Sequence, residues 1–336
     1  MTTPPRARAA VGRAVFAALA LPAAVGCSGV QTVLDPMGVQ AERIARISWV
    51  LFVGGSAIFA LVMALAGLAV FAPPRWRGWM ASRRFAFLGG VALPAATLLA
   101  LLVWTLGISN ALVANTDPRP LRVEIVARQY WWEIRYPDAG PDAVTANELR
   151  LPVGREVELT LLSGDVIHSV WIPNLHGKMD MIPGRANVQR LRADRPGVLR
   201  GQCTEFCGQQ HALMAFWVVS EGPAEFEAWL VRQKAPVPPP ADPVAERGMR
   251  VFGEAGCGAC HAVRGTEWDA RIAPDLSRVG SRLSLAAGAL PNNRAALAGW
   301  IAGAQDIKPG NNMPSYGQAL PGEDLLAVSA WLEGLR

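Results

Sequence analysis

The sequence predicts a multidomain membrane protein: a two-helix transmembrane hairpin, then an all-β sandwich, then a small all-α domain. Three observations predict it. Two long uncharged apolar runs, residues 47–72 and 85–114, fall before residue 120. From Leu121 the pattern changes to short runs of period two punctuated by Pro and Gly, which suits a sandwich or barrel of short strands. After a Pro-rich stretch at 235–243, helical patterning returns at 248–252 and 323–335.

Charge supports the same division. The 336 residues carry a formal net charge of +5. Before residue 120 there are 10 Lys/Arg and 3 Asp/Glu; from there on there are 22 and 24. The excess therefore belongs to the membrane flanks. The soluble part is near neutral, which argues against nucleic acid as a partner.

Taken in order, residues 1–26 are expected to be a signal peptide of lipoprotein type. Arg6, Arg8 and Arg13 precede an apolar stretch too short to span comfortably. Ala24-Val25-Gly26-Cys27 resembles a bacterial lipoprotein cleavage site, so Cys27 is expected to be the lipidated mature N-terminus. The transmembrane hairpin is expected at 46–108, since about 20 helical residues cross a bilayer core roughly 30 Å thick. The short loop between its helices holds Arg75, Arg77, Arg83 and Arg84, no acid, and two Trp. The positive-inside rule makes this loop cytoplasmic, with the Trp residues as interface anchors. Everything from about 117 onward is then outside the cytoplasm, on the periplasmic face of a bacterial inner membrane.

A β domain is expected at 119–234. Leu121, Val123, Ile125 and Ala127 alternate with Arg122, Glu124, Val126 and Arg128, and further strands are expected at 156–162, 169–172, 188–191, 198–202 and 215–219. An aromatic cluster, Tyr130, Trp131, Trp132 and Tyr136, reads as core and edge-strand packing. The chemistry lies in Cys203-Thr-Glu205-Phe-Cys207-Gly-Gln-Gln-His211-Ala-Leu-Met214, with His168 35 residues upstream of Cys203. Two thiols, two imidazoles and a thioether are soft or borderline ligands, suited to copper. On residue types alone a disulfide, a structural zinc site and a copper site all stay open.

Residues 235–243 read as a semi-rigid linker, and 244–336 as a second cofactor domain. Cys257-Gly-Ala-Cys260-His261 is the C-x-x-C-H attachment signature of c-type haem. Cys257 and Cys260 would tether the porphyrin and His261 would bind the iron. Met313, in Asn311-Asn312-Met313-Pro314, would supply the opposite axial ligand and raise the potential. Met249 is the rival ligand, but its helical spacing makes it core.

The metal motif resembles the binuclear copper centre, Cu-A, of subunit II of haem–copper cytochrome c oxidases, and with the haem domain behind it the chain resembles the caa3-type subunit. The resemblance covers essentially the whole mature chain and implies a cupredoxin-like sandwich and a class I cytochrome c domain. By it, Cys203 and Cys207 bridge both coppers, His168 and His211 each hold one, and Met214 and the Glu205 carbonyl are weak outer ligands. The Glu205 side chain would help hold a magnesium or manganese ion at the interface with subunit I. Arg185, in Lys178–Arg185, would face a haem propionate there, Asp165 would back the copper ligands, and His176 would be loop surface.

Tyr130, Trp131 and Trp132 occupy the stretch that receives electrons in the family. Tyr130 stands where an exposed Trp is usual, which argues against ordinary docking of a free cytochrome. No carboxylate stands near Phe87 at the start of the second helix, so proton uptake would rest on another subunit.

The implied function is to bring electrons into a respiratory terminal oxidase, from a donor through haem c and Cu-A to haem a of subunit I, where oxygen is reduced and protons are translocated. The implied partners are subunit I, further oxidase subunits, membrane lipid and a cytochrome c or bc1-type donor. The alternatives are a Cu-A subunit of a nitric-oxide reductase and a membrane-anchored copper-binding protein.

Overall fold

The computed structural model describes residues 28–113 and 117–336. The expected signal peptide and Cys27 lie outside the described residues. Residues 40–118 form one unit; the remaining described residues form the other.

The first unit holds two helices long and apolar enough to cross a membrane, α1 (Val39–Phe71) and α2 (Arg83–Asn110). At 1.5 Å per residue the 33 residues of α1 outrun a bilayer core. The charged first turns, with the Glu42–Arg46 pair, take up the surplus. Hydroxyls would be costly in lipid, and three of them find a carbonyl one turn back: Ser48 donates to Ile44, Thr97 to Leu93 and Thr105 to Leu101. A π-helical turn at Leu88–Ala92 contains Gly89 and Gly90.

The β domain is two five-stranded sheets. One runs in the order β3 (Val144–Ala146), β2 (Trp131–Arg135), β1 (Leu121–Arg128), β5 (Val157–Ser163), β8 (Asn187–Leu191). The other runs β4 (Glu148–Pro152), β10 (Ala215–Glu221), β9 (Gly197–Cys203), β6 (His168–Trp171), β7 (Met179–Met181). β1 pairs parallel to β5 and β4 parallel to β10; the other pairings are antiparallel. Alternate residues of β1, Leu121, Val123, Ile125 and Ala127, point into the core with Leu159, Leu161, Leu199 and Phe216. Helix α3 (Pro223–Lys234) closes one end of the sandwich. Its Phe226 and Trp229 rings lie 6.0 and 5.2 Å from the Tyr136 ring.

The C-terminal domain is built on α4 (Pro243–Glu254), α5 (Arg294–Ala302) and α6 (Gly322–Gly334). Asp242 caps α4 by accepting from the Ala245 amide at 2.8 Å, with Pro243 in the first turn. Phe252 packs against Trp268 and Trp331 at ring distances of 4.9 and 5.1 Å. The helices cross at Gly248, where a Cβ would lie 2.1 Å from the Ala327 carbonyl oxygen. Gly248→Ala is therefore expected to push α4 off α6 and cost roughly 1–3 kcal/mol, as overpacking does. A melting curve of the haem-loaded chain checks this, and an unchanged midpoint would refute the close crossing.

Candidate metal centre and haem site

β6 and β9 are adjacent, with Val170 opposite Cys203. That pairing brings His168, at the start of β6, beside the end of β9, where the chain leaves the sheet as a loop and returns as β10. The five soft side chains consequently meet. Cys203 Sγ lies 3.8 Å from Cys207 Sγ and 3.8 Å from His168 Nδ1. Cys207 Sγ lies 3.6 Å from His211 Nδ1 and 3.8 Å from Met214 Sδ. The Glu205 carbonyl oxygen is 3.3 Å from Cys203 Sγ. His168, Cys203, Cys207 and Met214 are buried; His211 is half-buried.

This donor set fits a soft metal. The sulfurs are too far apart for a disulfide, whose bond is about 2.05 Å. Two thiolates each about 2.3 Å from one tetrahedral ion would be spaced much as these are. Both imidazoles present Nδ1 to a sulfur, and the thioether sits next to Cys207, a softer array than zinc requires.

The surroundings prepare the ligands. Asp165 Oδ1 lies 2.7 Å from His168 Nε2, which leaves Nδ1 for a metal, the usual arrangement behind a ligating imidazole. Burial works to raise the Asp165 carboxyl, but hydrogen bonds from His168 and from the Gln129 and Val166 amides outweigh it and hold the pKa low. For His168 burial opposes the charged ring, while Asp165 and Cys203 outweigh burial and raise it. Cys203 is driven well down, chiefly because the Cys207 thiol donates to its thiolate; Cys207, facing that thiolate, is pushed up. The metal-free pair thus holds one negative charge, and the second proton would leave as a metal arrives. Gln129 Nε2 also donates to the Cys207 carbonyl at 2.6 Å and steadies the loop.

In the C-terminal domain Cys257 and Cys260 are free thiols, the first opening a short 3-10 turn (Cys257–Ala259) and the second directly following it. His261 Nδ1 lies 2.7 Å from the Pro274 carbonyl oxygen. That bond assigns the proton to Nδ1 and frees Nε2 for iron. Burial lowers the His261 pKa, which keeps the ring neutral as a ligand must be. Met313 packs against the apolar core, with its amide donating to Asn311 Oδ1 at 2.7 Å and its carbonyl accepting from Gln305 Nε2 at 2.7 Å. Arg282 Nε is buried with no hydrogen-bond partner, a cation suited to an acidic group such as a propionate. These residues fit a covalently bound haem. Met249 is half-buried on α4, among the residues packed against the core.

Other expected residues fall differently. Trp132 is fully buried, its ring 6.4 Å from the His168 ring and 5.0 Å from Phe216. Trp131 lines a narrow cleft together with Trp268 of the C-terminal domain. Tyr130 is only 8% exposed: the position where the family resemblance places an exposed Trp is covered here. Its carbonyl accepts a hydrogen bond from Lys308 Nζ at 3.2 Å. His176 is not loop surface but half-buried, with Gln189 Nε2 3.0 Å from its Nδ1. The Glu205 carboxylate is partly exposed and pairs with Lys178, which also pairs with Asp180. Arg185 is exposed just after Gly184, whose φ of +76° makes a left-handed turn. Lys308, Gln129 and Arg282 were not singled out from sequence. Only Lys308 left a sequence signal, as one of just three lysines in an arginine-rich chain.

The comparisons bear on both domains. Residues 142–221 match the family model described as the periplasmic domain of cytochrome c oxidase subunit II, and residues 245–336 match that of cytochrome c. Cytochrome c oxidase subunit 2 of Alkalihalophilus pseudofirmus is 34% identical over 93% of this chain and 93% of its own length. The subunit 2 of a Bacillus species is 36% identical over 66% of this chain and 64% of its own. A solved periplasmic domain of subunit II of cytochrome oxidase from Bradyrhizobium japonicum covers 35% of this chain and 97% of its own, at 28% identity and a TM-score of 0.33.

Proposed function

The chain belongs to the cytochrome c oxidase subunit II family, in the form that carries a fused cytochrome c domain, and from that premise we propose how its residues divide the work. It is the membrane-anchored subunit through which electrons come into a haem–copper oxidase, and it carries copper and haem c. In our reading the copper is the binuclear Cu-A, held by His168, Cys203, Cys207, His211, Met214 and the Glu205 carbonyl. Haem c is held by Cys257, Cys260, His261 and Met313. Bound there, the two cofactors would supply a pair of one-electron couples that exchange electrons without binding substrate.

The observation that carries this reading is the convergence of two imidazoles, a thioether and one carbonyl on the Cys203–Cys207 pair. A disulfide needs no imidazoles, and a four-coordinate zinc needs neither the thioether nor the carbonyl. The protein's part is to keep the ligands fixed: the adjacent interior strands β6 and β9 hold His168 and Cys203, Asp165 orients one imidazole, and Gln129 holds the loop. Little movement on reduction then means little barrier to exchange. Trp132, buried against His168, and Trp131, on the cleft shared with Trp268, would serve as aromatic relays between the two sites.

Electrons would travel from a cytochrome c or bc1-type donor to haem c, then Cu-A, then haem a of subunit I. The Glu205 carboxylate, already beside Asp180 and Lys178, would bind magnesium or manganese at that interface, with Arg185 toward a propionate. We place the helices in a bacterial inner membrane with the Arg loop inside and residues from about 117 outside, the signal peptide at 1–26, the hairpin at 46–108, the copper domain at 119–234, the linker at 235–243 and the haem domain at 244–336. Electron paramagnetic resonance with metal analysis on the purified chain tests the reading. It expects a mixed-valence two-copper signal and one low-spin haem; one zinc in place of two coppers would overturn it.

A further inference from the structure

The C-terminal domain is seated on the copper loop itself, and the seat is built from backbone oxygen atoms around one lysine. Lys308 is 2% exposed. Its Nζ donates to the Leu213 carbonyl at 2.9 Å, the Ala286 carbonyl at 3.1 Å and the Tyr130 carbonyl at 3.2 Å. Two of these acceptors belong to the copper domain and one to the haem domain, and no carboxylate pairs with Lys308 among the described residues. An ammonium has three donors and no other way to satisfy them here. A buried charge without those acceptors would be strongly unfavourable.

The neighbouring contacts serve the same seat. Gln210 Nε2 donates to the Pro309 carbonyl at 2.7 Å, and the Ala215 amide to the Ala287 carbonyl at 3.0 Å. Ala286 and Ala287 sit at φ of +51° and +58°, the left-handed region that residues other than Gly seldom adopt. Consecutive strained alanines persist where surrounding contacts over-determine them. Here both of their carbonyls are engaged, one by Lys308 and one by Ala215.

We propose that Lys308 is a positioning residue for the internal electron step, locking the haem domain onto the copper loop so that the two ligand sets are joined by a short bonded path. The path runs from Met214 through its neighbour Leu213 to Lys308 Nζ. On the other side Asn311 Nδ2 donates to the Lys308 carbonyl at 2.6 Å, and Asn311 Oδ1 accepts from the Met313 amide at 2.7 Å. The inference rests on the reading of Met214 and Met313 as ligands. The step moves one electron from ferrous haem, leaving it ferric, to the oxidised copper pair, reducing it by one electron; no bond or proton changes hands.

The experiment compares the full chain with Lys308→Met, which keeps the length and removes charge and donors. After rapid photoreduction of haem c, arrival of the electron at copper is expected to slow by about tenfold or more, with the haem spectrum, the copper signal and both potentials unchanged. In the same cofactor-loaded chain, hydrogen exchange at the Ala215 amide and across 284–290 is expected to quicken by a similar factor. Lys308→Arg, which keeps charge and donors, is expected to restore much of both. If Lys308→Met does not accumulate, Lys308→Gln takes its place. Normal signals with an unchanged transfer rate and unchanged exchange would overturn the latch. Absence of the two-copper signal in the unaltered chain would instead overturn the function on which it rests.

Discussion

Cys207→Ala is expected to abolish the copper centre while leaving haem c intact. Cys207 is the hub of the cluster: Cys203, His211 and Met214 all lie within 3.8 Å of its sulfur. Removing it would take away the proposed bridging thiolate and also the group that does most to hold the Cys203 pKa down. The Cys203 pKa should therefore rise toward that of an ordinary thiol, and any metal would then compete with a proton there. Loss of an outer-shell partner alone typically costs 10–100-fold in metal affinity, so losing this ligand is expected to cost more than about 100-fold. Copper per chain and the paramagnetic signal measure it directly. Donor electrons should still reduce haem c and then stop. A variant that keeps two coppers with the parent signal would show that Cys207 is not a bridging ligand.

The second large effect is expected at Met313. With Met313→Ala the iron loses its sixth ligand, because the side chain is the only thioether on that short segment and its backbone is pinned by Asn311 and Gln305. The haem should turn high-spin and bind carbon monoxide. Its potential should fall on the order of 0.1 V, since Met ligation raises it within the wide range that axial ligands command. At 59 mV per tenfold for one electron, that is a shift of about 50-fold against reduction by the donor. Turnover should then stall before haem c, the reverse of the Cys207→Ala pattern, where it stalls after. A low-spin spectrum unchanged from the parent would pass the ligand role to Met249, which Met249→Leu would then remove.

How much of this was legible depends on whether the information is local. The loop ligands from Cys203 to Met214 read directly from sequence, because one loop at a strand end carries them all and their spacing sets their geometry. The haem pentapeptide is local too. The strands β1, β5, β6, β8, β9 and β10 were marked by alternation or by breakers. β3 and β7 escape a sequence reading because they are three residues long, and β4 because it is buried nearly throughout, with little alternation to see. Helix α3 went unread although Phe226, Trp229, Leu230 and Gln233 recur at helical spacing. Weighing that face against the strand-rich context would have found it.

The chain order, the membrane helices, the Cys–His–Met motif of the copper loop and the C-x-x-C-H motif are legible in sequence alone, since each is written in residue types at fixed short spacing. Tertiary structure decided three things. It paired β6 with β9 and so brought His168 to the thiols from 35 residues away. It buried Tyr130, at the position where an exposed Trp is usual in the family. And it seated the haem domain on the copper loop through Lys308. The acceptors around that lysine are main-chain oxygens, which every residue type carries alike, so nothing in their letters could announce them.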